Sequence, residues 1–172
     1  MITISKIKFF LIMLFVLGIV DLYAEEVSVL HQNHKTVIID SLKLRENELP
    51  KGYKFGKDIF CKNIQPAMLY KEHNLYGALI GEAIKKDFQS ISNENGDAGS
   101  ILYFQFKKRV EESGKEFIKG LIWGENSQPT KQHPESIEFF EDVMVIWCFE
   151  QGSLIYKLSR EKILLYLEMQ TK

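Results

Sequence analysis

The sequence predicts an α+β fold: a two-layer sandwich with an antiparallel or mixed sheet and helices packed mainly on one face. Three observations predict it. Residues 100–106 alternate, with Leu102, Phe104 and Phe106 on one side and Ile101, Tyr103 and Gln105 on the other. Residues 107–123 instead place Val110, Gly114, Phe117, Ile118, Leu121 and Ile122 at helical spacing. Residues 136–140 and 143–149 read as strands separated only by Glu141-Asp142, and a hairpin implies antiparallel pairing.

At the start of the chain, Lys6 and Lys8 precede an uncharged apolar run over residues 9–20. A helix needs about 20 apolar residues to cross a bilayer, and this run is shorter. It has the length of a signal-peptide core, and Ala24 before Glu25-Glu26 marks the expected cleavage point. Residues 1–24 are therefore expected to be a signal peptide and residues 25–172 a single domain. An uncleaved anchor is the alternative. The absence of a cysteine near residue 24 argues against a lipoprotein-type attachment. The later apolar stretches, 101–106 and 143–149, have strand length, so no stable membrane insertion is expected after cleavage.

The whole chain carries 22 Lys+Arg against 23 Asp+Glu. Removing residues 1–24 takes away Lys6, Lys8 and Asp21, leaving 20 basic and 22 acidic residues and a net charge of −2. That near-balance argues against nucleic-acid binding, which usually needs a basic face.

Along the mature chain, residues 25–34 are a polar lead-in. Val37, Ile38 and Ile39 suggest a short strand within 35–44. Pro50 and Gly52 supply turn chemistry, and residues 53–60 are expected to be extended. Residues 74–88 give the clearest helical pattern, with Asn74 as N-cap and Leu75, Tyr76, Leu79, Ile80, Ala83 and Ile84 following. Gly77 and Gly81 weaken such a helix, and close approach to a neighbouring element is their expected compensation. Residues 93–97 form a turn, and Gly124 stops the helix over 107–123. Residues 143–149 are apolar on both faces, as in a central strand. Residues 152–157 suggest a further strand and residues 159–169 a terminal helix.

Cys61 and Cys148 both lie in the mature chain. In an exported protein an even count admits a disulfide, and two buried free thiols are the other reading. His31 and His34 stand three apart, but two ligands do not make a zinc site. No nucleophile elbow, phosphate loop or zinc-protease motif is present, so no catalytic, cofactor or metal residues are assigned. The stretch 120–135 is the most unusual: Trp123 closes a helix, two prolines interrupt the loop, and His133-Pro134-Glu135 leads into a strand. Trp123, His133 and Glu135 are the candidate binding residues, because loops held by a rigid scaffold carry much of function.

The Leu49-Pro50-x-Gly52-Tyr53 opening, followed by strand, helix and hairpin, resembles uncharacterised exported bacterial proteins classed as domains of unknown function. The resemblance spans most of the mature chain by pattern. It implies export and an α+β fold, and no activity or catalytic residue. The resulting expectation is a non-enzymatic exported domain, periplasmic or secreted, that binds another envelope or extracellular component. The alternative is a small exported hydrolase with a site near Trp123, His133 and Glu135.

Overall fold

A computed structural model describes residues 37–150 and 152–170. The expected signal peptide, the Ala24 cleavage point and the His31/His34 pair lie outside the described residues. Among the described residues, five strands form one sheet: β1 (Tyr53–Gly56), β2 (Ala83–Asn93), β3 (Ala98–Phe106), β4 (Ser136–Phe140) and β5 (Val143–Trp147). Their spatial order is β1-β2-β3-β5-β4, and every neighbouring pair is antiparallel. The helices are α1 (Ile39–Leu42), α2 (Ile64–Lys71), α3 (Gly77–Ile80), α4 (Glu112–Trp123) and α5 (Leu154–Gln170). No described helix is long and apolar enough to cross a membrane.

The α+β sandwich expected from the sequence is present, and a second helical layer completes it. Leu102, Phe104 and Phe106 of β3 join Met144 and Ile146 of β5 on one face, under Leu69 of α2, Ile80 of α3 and Ile118 and Ile122 of α4. Ile101 and Tyr103 share the other face with Val145 and Trp147, under Ile39 and Leu42 of α1 and Ile155 and Ile163 of α5. The alternation read from residues 100–106 thus sorts β3 between two cores. β5 is buried at every residue, as a strand apolar on both faces must be. The β4–β5 connection is the two-residue turn Glu141-Asp142, with Phe140 opposite Val143 and Glu141 at φ +51°.

Residues 74–88 are not one helix. A 3₁₀ turn at His73–Tyr76 leads into the single turn α3, Gly81 takes φ +93°, and β2 begins at Ala83. Left-handed backbone ends a helix, and glycine adopts it at no steric cost. Beyond it, residues 83–88 pair with β3, setting Phe88 opposite Leu102, and this ladder outweighs helical periodicity. The expected apolar stripe accordingly buries only in part: Ile80 reaches the core, but Leu75 is 72% exposed and Leu79 57%. The close-approach glycine is Gly114 instead, where a Cβ would meet the Leu79 carbonyl oxygen at 2.7 Å.

Residues 37–44, the described part of the expected strand over 35–44, are likewise not a strand. The described part is extended around the turn α1, and Val37, Ile39, Leu42 and Leu44 are all buried. Side chains, not a ladder, hold this strap to the sheet. Gln89 accepts from Leu44 N at 2.8 Å and donates to Leu44 O at 2.7 Å. Gln105 donates to Val37 O at 2.7 Å. Burying two amides costs little when each is satisfied in this way. Tyr103 donates to the same Gln89 oxygen at 3.1 Å, and full burial pushes its hydroxyl pKa upward.

The expected strand over 152–157 is the first turn of α5, whose entry Ser153 caps by accepting Tyr156 N at 3.2 Å. Helix α2 had no counterpart in the sequence reading. Asn63 caps it, its side chain accepting from Gln65 N at 3.1 Å.

Phe104 and Val145 are fully buried, as their strand positions require. Phe117, expected to fill the core from α4, is half-buried and lies beside Tyr76 with ring centroids 5.9 Å apart. Ile118 takes the central place at 0% exposure. Ile118→Ala should therefore cost about 2–5 kcal/mol. Phe117→Ala should cost roughly 1–2 kcal/mol, below the usual range for a fully buried Phe. Urea denaturation of the two variants checks the order, and a larger loss at Phe117 would refute this assignment of the helix face.

Candidate functional site

At one end of the sheet β5 runs out into Cys148-Phe149 while Pro134-Glu135 leads into β4. Ser136 pairs with Trp147, so Glu135 and Cys148 lie one step beyond the last paired residues. Cys148 N donates to Ser100 O at 2.8 Å, which ties this end to β3. The chain over 58–63 crosses the same region. Ser90 donates to Asp58 O, its oxygen lies 2.6 Å from the Ser100 hydroxyl, and Phe60 N donates to Ser100 Oγ at 2.8 Å. A disulfide joins Cys61 to Cys148 with their Cα atoms 5.0 Å apart, which selects the bonded reading of the two cysteines. Asn63 completes the attachment, its side chain donating to Ile122 O at 3.0 Å.

These attachments leave a cavity of about 530 Å³, within the range of small-molecule sites. Its walls include Phe60, Phe149 and Pro134. Its polar lining includes Glu135, Asp97, Glu150 and Lys62. Lys62 pairs with Glu150, and their side chains are 54% and 72% exposed, so the pair contributes little to stability. Asp97 accepts the Tyr53 hydroxyl at 2.6 Å, and this bond, then desolvation, raises the Tyr53 pKa. A second cavity, lined by Pro129, Thr130, Lys131, Pro134 and Glu150, adjoins the first through the shared Pro134 and Glu150.

Glu135 is the unusual group. It is 0% exposed. One carboxyl oxygen, Oε1, accepts from Asn63 N at 3.3 Å. The other, Oε2, is buried and has no hydrogen-bond partner among the described residues, as is true of His73 Nδ1 and His133 Nδ1. Buried polar atoms are nearly always satisfied, because an unpaired one keeps its full desolvation cost. The buried glutamines and Ser159, which accepts from the Trp147 indole at 3.0 Å, follow that rule.

Of the three residues singled out in the sequence, the structure brings two together. The Trp123 indole donates to the Glu135 carbonyl at 3.0 Å, so Trp123 positions the strand entry. His133 closes a local turn with Thr130, through His133 N to Thr130 Oγ1 at 3.1 Å and Thr130 N to His133 O at 3.0 Å. It does not line the cavity that holds Glu135. Neither the Glu135 carboxyl nor the His133 ring hydrogen-bonds a hydroxyl or thiol among the described residues. The arrangement offers a buried acceptor, not a nucleophile with its base. Among the described residues no group of three or more His, Cys, Asp or Glu is placed to hold a metal ion.

Sequence reasoning missed Phe60, Asn63, Asp97 and Glu150. Only Asn63 had a local signal, as a capping residue shortly before Pro66 in a first helical turn. No protein-family model, curated protein or solved structure matches the chain.

Proposed function

We propose that the chain is an exported, non-enzymatic binding domain, and that the groove beside Glu135 receives a component of the envelope or extracellular space. The observation that carries this reading is the cavity of about 530 Å³ with Phe60, Phe149 and Pro134 in its walls and Asp97, Glu150, Lys62 and the buried Glu135 among its polar lining. Concave sites of this size with a few polar groups in an apolar wall are where small ligands and side chains bind. The disulfide supports an oxidising compartment, where such bonds persist. The hydrolase alternative draws less support, since among the described residues no hydroxyl or thiol hydrogen-bonds the Glu135 carboxyl.

Expressed with residues 1–24 in a secretory host, the protein should be recovered outside the cytoplasm beginning at Glu25. Photo-crosslinking side chains at Asn95 and Lys131, on the two sides of the groove, should then capture a defined adduct. The same group at Lys108, away from the groove, should not. Recovery of membrane-held protein beginning at Met1 would reject export, and equal labelling from all three positions would reject the groove.

A further inference from the structure

Helix α5 carries two apolar faces. One holds Ile155, Ser159 and Ile163, all buried, and closes the core that contains Trp147. The other holds Leu154, Leu158, Leu165 and Met169. At 3.6 residues per turn these four stand within about 60° of one another, and their stripe is centred about 110° from the buried face. Leu154, Leu165 and Met169 are exposed, and Leu158 is half-buried. The strap and the turn after it raise a wall beside this stripe. Ser41, Leu44, Arg45 and Glu48 enclose with it a groove of about 520 Å³, which shares no lining residue with the cavity that holds Glu135. A surface helix ordinarily shows one apolar stripe and a polar opposite face.

The second stripe reads the same in both directions, with steps of four, seven and four residues from Leu154 to Met169. A second copy of the helix laid antiparallel and centred between Glu161 and Lys162 therefore sets Leu154 against its Met169 and Leu158 against its Leu165. The charges follow the same symmetry. Lys157 and Glu168 are both exposed and lie on one flank of the stripe. In an antiparallel pair related by a two-fold axis, like flanks meet. Lys157 then faces Glu168 of the second copy, with an offset of about 3 Å along the axis that long side chains span. A parallel pair would join opposite flanks and lose both contacts. On the other flank Lys162 is already paired with Glu48. We propose that this face is an isologous interface on which a second copy of the chain docks, α5 antiparallel to α5, through Leu154, Leu158, Leu165 and Met169. Two 17-residue helices meet over only about 25 Å, and the two Glu161 side chains approach each other near the axis. The pair is accordingly weak, at the low end of interface sizes. It involves none of the groove residues and stands apart from the binding-domain reading.

Sedimentation equilibrium of the oxidised protein between about 1 µM and 1 mM tests this, with backbone amide NMR to show that each variant is folded. The protein should pass from monomer to dimer with a dissociation constant of about 10–500 µM. Leu165→Lys, at an exposed position, should weaken association by at least about tenfold with a native spectrum. Glu161→Gln removes the like charges at the axis and should tighten it by about threefold. Lys157→Glu and Glu168→Lys should each weaken self-association by about fivefold. An equimolar mixture of those two variants should associate at least as well as the unsubstituted protein, because every charge pair across the mixed dimer is again complementary. A protein that stays monomeric to about 1 mM would overturn the proposal, whether the stripe is bare or covered by residues 25–36 or by another protein. Undiminished dimerisation of Leu165→Lys would place the contact on another surface and overturn it too. A mixture of the two charge variants that associates no better than either alone, or a Glu161→Gln protein that associates no better than the unsubstituted one, would overturn the antiparallel register.

Discussion

Breaking the Cys61–Cys148 bond should lower the unfolding free energy by about 4–5 kcal/mol on the chain-entropy account of disulfides. The bond spans 87 residues of sequence, so its loss releases a long loop in the unfolded chain. A domain of this size is stable by only about 5–15 kcal/mol, so the reduced protein should be marginal. The native state loses something too. The segment over 58–63 is otherwise held by hydrogen bonds to Ser90, Ser100, Glu135 and Ile122 O, and these few bonds contribute about 1 kcal/mol each. Urea unfolding of the oxidised protein beside the Cys61→Ala/Cys148→Ala double variant measures the difference. The variant should also show a larger denaturant slope, because its unfolded state exposes more surface. A change below about 1 kcal/mol would mean that the polar attachments alone hold the segment.

The disulfide was legible in the sequence as one of two readings because it depends on cysteine count and compartment, which need no coordinates. The β3 alternation, the doubly apolar β5 and the Gly124 helix stop were legible for a related reason. Each is written in a run of adjacent residues whose period or punctuation survives whatever packs against it. The misread segments share the opposite property. Residues 37–44 are held by Gln89 and Gln105, whose partners lie 45 and 68 residues away. Nothing in the strap itself announces that two buried amides will replace a ladder. Over 74–88 the apolar spacing was helical, yet Gly81 and the long pairing of β2 with β3 decided the structure. Local pattern yielded to tertiary pairing there, as propensity commonly does.

The candidate site divides the same way. Trp123 and Glu135 stood out because they bracket a long loop between two regular elements. Phe60, Asn63 and Asp97 come from two other segments, and only the sheet register and the disulfide carry them to that loop. His133 was chosen for its neighbours in sequence, and its own turn with Thr130 keeps it from the cavity. A carboxyl with one satisfied and one orphaned oxygen has no sequence signature.

Gly99→Ala should be among the most damaging single substitutions in the molecule, with a loss of about 3 kcal/mol or more. Gly99 sits on β3 opposite Ile91, in extended backbone that any residue adopts, so the requirement for glycine is one of space. A Cβ there would lie 2.3 Å from the Cys148 carbonyl oxygen and 2.7 Å and 2.8 Å from two carbons of the Phe149 ring. The Phe149 ring has room to turn only at the expense of the core it packs in, at 3% exposure. The Cys148 carbonyl cannot turn away alone: its residue is held by the disulfide and by the hydrogen bond from its own N–H to Ser100 O. The added methyl must therefore push the end of β5 away from β3, and that displacement opens the wall of the groove. Gly77→Ala is the control. Gly77 has φ −56° at the start of α3, and nothing lies within 4 Å of a Cβ built there. That change should be neutral or stabilising by up to about 1 kcal/mol. Paired urea curves give both values. A Gly99→Ala variant that loses less than about 1 kcal/mol would mean that β5 leaves the sheet with slack to spare, and that the groove wall is not set by contact with β3.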